Sequence, residues 1–186
     1  MKNNLIELPI WCTTLDCDWI PEANYSEHLL EIGDAQSSYT SGLSLRSDFA
    51  ASIENESNKF WGEYGLNPEY KPVITEAWSN RHGKGGWTDW HNHAQCDLSA
   101  VWYCKFKEGN GNLVFRNPLD IYQAAETRYN EPLIEVPIQE KDFIIFPSFL
   151  LHKTKVNMID DERIIVSINF KGQAGKEEDL NGVVWK

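Results

Sequence analysis

The stretch from Val73 to Asn80 alternates apolar with polar residues, the two-residue period of a half-buried strand. Strand-like runs follow at Trp87 to His93, Leu98 to Lys107, Asn112 to Arg116, Leu133 to Ile138, Asp142 to Phe146, Phe149 to Thr154 and Arg163 to Phe170. The glycine-rich segments Arg81 to Gly86 and Glu108 to Gly111 supply turns between them, and Asn117 to Asn130 reads as a longer loop. No helical pattern interrupts these runs, so the sheet is expected to be largely antiparallel. About eight short strands in this arrangement suggest a mainly β sandwich or jelly roll.

The first third has a different pattern. Leu5 to Trp11 is apolar, and Pro9 places it at a sheet edge. Asn24 to Ile32 spaces its leucines and isoleucine as a helix would, with Gly33 as the stop, and residues 34–46 read as a loop. Ser47 is the expected cap of a second helix reaching Tyr64, with Phe49, Ile53, Phe60 and Tyr64 on one face and Gly65 ending it. The chain therefore reads as one domain: a helical flank with an edge strand over 1–71, a strand core over 72–170 and a polar tail over 171–186, from which Val183 to Trp185 can dock back.

Composition narrows the function classes. A net charge of −11 argues against a nucleic-acid surface, which needs clustered Lys and Arg, and against anionic membranes. Cys12, Cys17, Cys96 and Cys104 form no C-x-x-C pair and are expected to be reduced thiols in a cytoplasmic protein. No stretch has the make-up of a signal peptide or a membrane span.

The candidate chemistry centres on His91 and His93. At i and i+2 of a strand, both imidazoles project from one surface. His152 ends an apolar run some sixty residues on, and Arg163 opens the strand after that. On that last strand Arg163, Ile165, Ser167 and Asn169 share a face, while Ile164, Val166, Ile168 and Phe170 make an apolar one. A guanidinium beside a hydroxyl and an amide is equipped to grip a carboxylate. Two neighbouring imidazoles, a distant third and an arginine form the arrangement needed by a non-haem iron site that uses a keto acid.

The ordered motifs strengthen this. Trp78-Ser79-Asn80, His91-Asn92-His93, Ser99-Ala100-Val101-Trp102-Tyr103, Phe146-Pro147-Ser148-Phe149-Leu150-Leu151-His152 and Glu162-Arg163-Ile164-Ile165-Val166-Ser167-Ile168-Asn169 follow one another in the chain. In them the sequence resembles the short 2-oxoglutarate/Fe(II)-dependent oxygenases, over roughly residues 72 to 170. Ala100, Ala94 and Ile165 depart from the family's usual glycine, proline and serine.

The resemblance implies a double-stranded β-helix, a cupin-like jelly roll. It implies Fe(II) held by the H-x-H strand and His152, with 2-oxoglutarate and O2 as co-substrates of a hydroxylase-type dioxygenase. Arg163 is implied as the clamp on the far carboxylate of 2-oxoglutarate, with Ser167, Asn169 and Tyr103 as further co-substrate contacts and Trp78, Asn80, Trp90 and Trp102 as pocket walls. The usual triad is two histidines and a carboxylate. Either His93 replaces the acid, or Asp89 or Asp97 completes the set.

Two other readings remain. One is a cupin-like three-histidine metalloenzyme that makes no use of 2-oxoglutarate. The other is a non-catalytic jelly-roll binding module with unmetallated histidines. The substrate, small-molecule or peptidyl, has no signature in the sequence, and the apolar N-terminal segment is available to pair across a homodimer.

Overall fold

A computed structural model describes residues 8–118 and 132–174. The described residues form one helix, α1 (Ser47–Glu63), and eleven strands: β1 (Trp11–Thr14), β2 (Glu31–Ile32), β3 (Ala35–Ser37), β4 (Tyr70–His82), β5 (Trp87–Thr88), β6 (Leu98–Lys105), β7 (Leu113–Arg116), β8 (Leu133–Val136), β9 (Asp142–Pro147), β10 (His152–Thr154) and β11 (Arg163–Ala174). Every strand pairing among the described residues is antiparallel. A six-stranded sheet runs in the order β1-β9-β6-β11-β4-β3. It faces a three-stranded sheet, β10-β7-β8, and the pair β2-β5 closes one mouth. This is the jelly roll expected from the strand pattern.

The larger sheet is covered on both faces, which is why β6 is buried along almost its whole length. Alternate residues feed two cores. Ala100, Trp102 and Cys104 of β6 and Val166 and Ile168 of β11 pack against Phe49, Ile53, Phe60 and Trp61 of α1. Val101 and Tyr103, with Phe146 and Ile165, pack inward against Leu113 and Phe115 of the smaller sheet. The period of two thus sorts each strand into a helix-facing set and a barrel-interior set.

The N-terminal third departs from expectation. Only one of the two helices forms. Asn24 to Ile32 is extended, with a bridge at Ser26, a turn at Leu29–Leu30 and β2; Leu29 is 83% exposed, so its apolar spacing had no core to face. The segment 34–46 is not all loop, since β3 pairs with β4. Ser47 lies inside α1 and makes no cap; Arg46 is the N-cap residue, and the carboxylate of Asp48 accepts from the Phe49 N–H instead. Gly65, at φ +76, ends the helix as read. The edge strand begins at Trp11, and residues 5–7 of its expected span lie outside the described residues.

Trp87 to His93 is a strand only over two residues, after which a bridge joins His91 to His152. At the other end β11 runs on to Ala174, into the expected tail. The loop Asn117 to Asn130 and the segment Val183 to Trp185 fall on or mostly on undescribed residues. No described helix is long and apolar enough to cross a membrane.

Candidate metal centre and its surroundings

Two backbone features converge the histidines. The His91 N–H donates to the His152 carbonyl at 3.0 Å, and the His152 N–H donates back to the His91 carbonyl at 2.9 Å. The His93 N–H donates to the Ser148 carbonyl at 2.9 Å, which holds the H-x-H segment along the start of β10. The three rings then converge, with centroids 4.2 Å (His91–His152, tilted), 5.0 Å (His91–His93, edge-on) and 5.4 Å (His93–His152, tilted) apart. One nitrogen of each ring lies within 4.8 Å of the other two.

Hydrogen bonds fix which nitrogens are free. The Nδ1–H of His91 donates to the Asp89 carbonyl at 2.7 Å, and the Nδ1–H of His152 donates to the Leu150 carbonyl at 2.8 Å. A carbonyl can only accept, so each ring is the Nδ1–H tautomer with an unprotonated Nε2. Burial holds all three imidazoles below their ordinary pKa, His93 down to about 4. At neutral pH the cluster presents uncharged ring nitrogens, the state a metal ion requires. Such backbone support is how metal-binding histidines are usually oriented.

The two aspartates stand apart. Asp89 spends a carboxylate oxygen on the Trp90 N–H at 2.7 Å, and Asp97 is exposed and accepts from the Gly172 N–H at 2.7 Å. Neither belongs to a three-residue ligand group among the described residues.

Beneath the histidines lies an inner cavity of about 20 Å³, whose walls include Trp78, Asn80, Thr88, Thr154, Ile165 and Ser167. Above it opens a chamber of about 250 Å³, which shares Trp78, Asn80, Thr88, His91 and His93 and adds Tyr39, Leu30 and Glu31. Asn80 stands at the junction. Its Oδ1 accepts from the Ser37 hydroxyl at 2.7 Å, which leaves its Nδ2 for the cavity. A larger open depression, from Phe106 to Asn112 and along Lys155 to Met158, contains none of the histidines.

Several expected site residues lie off these walls. Trp102 points to the helix side, stacked on Trp19 and against Phe49. Trp90 packs under the ammonium of Lys153. Asn169 spends its amide on the Ser99 hydroxyl and the Glu76 carboxylate. Tyr103 faces the interior but is fully buried against Phe106, its hydroxyl without a partner among the described residues.

Arg163 has no exposed surface. Its Nη1 donates to the carbonyls of Asn110, Gly111 and Lys155, its Nη2 to the Thr154 hydroxyl at 2.9 Å, and its Nε to His82 Nδ1 at 3.3 Å. Burial lowers its pKa to about 10, so it stays cationic at neutral pH.

Behind Arg163 runs a buried chain that sequence reading missed. Because His82 accepts at Nδ1, its Nε2–H donates to the Glu31 carboxylate at 2.8 Å, and the Thr88 hydroxyl donates to the same group at 3.0 Å. The only sequence-level hint is parity: His82 and Thr154 stand two residues from Asn80 and His152 on their strands.

Burial pushes the Glu31 carboxyl up to about 7, against the Thr88 hydrogen bond and the charge of Arg163, which pull it down. A carboxyl with a higher pKa folded than unfolded takes up a proton on folding. Stability should therefore fall as pH rises from about 4.5 to about 7. Glu31→Gln should lose this slope, on the order of 3 kcal/mol across the window. Urea melts at both ends of the window check it; equal slopes in the two proteins would refute the assignment.

The model of the family described as "Putative 2OG-Fe(II) oxygenase" matches residues 76–169, half of the chain. No curated protein matches in sequence. Among solved structures, a 2OG-Fe(II) oxygenase family oxidoreductase from Burkholderia pseudomallei is similar at a TM-score of 0.57 and 12% identity, covering 80% of this chain and 73% of that one. HygX from Streptomyces hygroscopicus, with nickel, 2-oxoglutarate and hygromycin B bound, gives 0.53 at 9% identity over 80% and 73%. A prolyl-4-hydroxylase from Pseudomonas putida gives 0.51 at 13% identity over 74% and 68%. These likenesses are of fold.

Proposed function

The chain belongs to the 2OG-Fe(II) oxygenase family, and from this premise we propose that His91, His93 and His152 hold its iron as a three-histidine site. The observation that carries this is the convergence of three neutral ring nitrogens within 4.8 Å, two of them with their tautomer fixed by backbone carbonyls. Asp89 and Asp97 are committed to backbone N–H groups, so His93 takes the place the family usually gives a carboxylate.

Bound iron, with 2-oxoglutarate and O2, supplies the oxidising power: 2-oxoglutarate is cleaved to succinate and CO2 as substrate is oxidised. The protein's residues supply position and dryness. Trp78, its ring 5.5 Å from that of His93, walls the metal from one side. Phe146 packs edge-on against His152 at 4.7 Å and excludes water from the other. Arg163 puts a buried positive charge beneath the inner cavity, where the far carboxylate of 2-oxoglutarate would sit, and Ser167 offers a hydroxyl with no partner among the described residues. The inner cavity encloses only about 20 Å³, so seating the co-substrate would need its walls, Leu113 and Ile165 among them, to give way.

The outer chamber is where substrate would enter. Tyr39, Leu30 and Trp78 make it largely apolar, and no Lys or Arg among the described residues lines it, which suits an uncharged small molecule or peptidyl side chain. The four free cysteines fit a reducing, cytoplasmic setting.

The test is anaerobic addition of 2-oxoglutarate to the Fe(II)-loaded protein, then aerobic assay for succinate. A saturable visible charge-transfer band followed by succinate formation is expected. Iron binding with no band would favour a cupin-like enzyme that does not use 2-oxoglutarate. Absence of iron binding would favour the binding module.

A further inference from the structure

We propose that the substrate is an uncharged hydrocarbon side chain carried on a polypeptide, and that Tyr39 is the residue that selects it. This rests on the reading of the three histidines as the iron site.

The outer chamber is walled by rings. The Tyr39 ring lies 5.3 Å from that of His28 and meets Trp78 edge to face at 5.1 Å, and Trp78 leads on to His93 at 5.5 Å. Two rings at right angles make a corner, and its faces pack against C–H groups. The corner is fixed from behind. Ser38 ties the Tyr39 turn to β4: its N–H donates to the Ser79 carbonyl and its hydroxyl accepts from the Ser79 N–H, both at 2.9 Å. The Gly42 N–H closes the turn on the Ser38 carbonyl at 2.7 Å. Yet Tyr39 is 47% exposed, and Leu29, on the walls of the same chamber, is 83% exposed. Large apolar side chains held open to solvent around a chamber mark a surface that a ligand covers.

What enters this chamber needs few polar partners. The Glu31 carboxylate is occupied by His82 and Thr88, and the Ser37 hydroxyl by Asn80 and the Tyr39 N–H. Asn92 is different. It is exposed between His91 and His93, and its side chain makes no hydrogen bond among the described residues. A carboxamide with a free donor and a free acceptor matches a peptide group, which offers the complementary pair.

Size and charge exclude other substrates. The chamber, of about 250 Å³, exceeds the ~150 Å³ that encloses a benzene ring, so a leucine-sized group fits and a methyl group leaves most of it empty. An adjoining open depression, lined by Glu27, Asp34 and Gln36, shares His28, Leu29 and Glu31 with it. No Lys or Arg among the described residues lines either space, so the carboxylate of a free amino acid would lie unpaired beside other carboxylates. In a polypeptide that carboxylate has become an amide, and the penalty disappears.

Glycine pentapeptides blocked at both ends, with leucine, alanine or glutamate at the centre, would be compared with free leucine as ligands. Dissociation constants would be measured by ligand-observed NMR on the Fe(II)-loaded protein with 2-oxoglutarate, under anaerobic conditions. The proposal expects the leucine peptide to bind about tenfold tighter than the alanine peptide, as burial of three more carbons in an apolar site implies. The glutamate peptide and free leucine should bind no better than the alanine peptide. Tyr39→Phe should keep this preference, since the ring makes the wall. Tyr39→Ala should reduce it to about twofold or less.

Equal affinities for the leucine and alanine peptides, or an undiminished preference in Tyr39→Ala, would overturn the proposal. So would free leucine binding as tightly as its peptide. The iron-site reading fails separately. It falls if the protein takes up no iron, and the same peptide preference in metal-free protein would still bear out the chamber. Turnover of 2-oxoglutarate with no peptide bound would keep the iron site and overturn the chamber's assignment.

Discussion

His152→Ala should reduce 2-oxoglutarate-dependent succinate formation to background and drop the iron content of the purified protein. His152 is 3% exposed, and its ring touches both other histidines and the aromatic rings of Phe115 and Phe146. No other His, Cys, Asp or Glu among the described residues is placed to form a three-ligand group there, so the loss should not be compensated. Asp89→Ala is the control. It should keep its iron and lose only about 1 kcal/mol, the usual worth of a carboxylate that caps a backbone N–H. Metal analysis beside the succinate assay decides the matter. Undiminished iron and turnover in the His152 variant would sink the three-histidine site, and iron lost from the Asp89 variant would restore the carboxylate.

Arg163→Met should destabilise the protein by roughly 3–5 kcal/mol, whatever it does to co-substrate binding. Methionine replaces the aliphatic stem of the side chain but donates nothing. The carbonyls of Asn110, Gly111 and Lys155 would all lose the same buried donor. These carbonyls belong to the β6–β7 turn and to the segment after β10, so Arg163 ties two connections to the start of β11. For a chain of this size the penalty corresponds to a fall in melting temperature of roughly 10 °C. Arg163→Lys should recover part of it, since an ammonium has three donors where the guanidinium has five. A melting temperature unchanged within about 2 °C in the methionine variant would show that the carbonyls find other partners.

These two residues also mark what the sequence could disclose. The β core was legible because its signal is local: alternation within strands and glycines between them fix where the chain extends and turns. The three histidines were legible because motif order survives in one dimension, although the H-x-H stretch lies beyond β5 and is brought to His152 by a bridge rather than by strand parity. The N-terminal third was less so. Leu29, Leu30 and Ile32 have helical spacing, yet Glu31 of the same stretch is drawn inward by His82 and Thr88, partners 51 and 57 residues away. Tertiary pairing overrode the pattern, and nothing nearby announces it.

The role of Arg163 was half legible. Its interior face followed from alternation. That three carbonyls from two turns would enclose it depends on where the β6–β7 and β10–β11 connections fold back, which periodicity does not encode. Trp102 and Tyr103 show the same division: alternation requires them to face opposite ways, and they do, yet neither reaches the cavity.

The bridge between His91 and His152 has a consequence for how the chain finds its shape. Those residues bound a loop of about sixty positions that contains β6, β7, β8 and β9, and only one pair of reciprocal backbone bonds joins its ends at that point. Closing a loop of that length costs the unfolded chain conformational entropy, and a single bridge returns little enthalpy for it. An ion gripped by both imidazoles would act as a cross-link on the disordered ensemble, removing open conformations as a covalent staple does. The metal would then serve the polypeptide before it serves any substrate, by making the meeting of two distant stretches of chain persist.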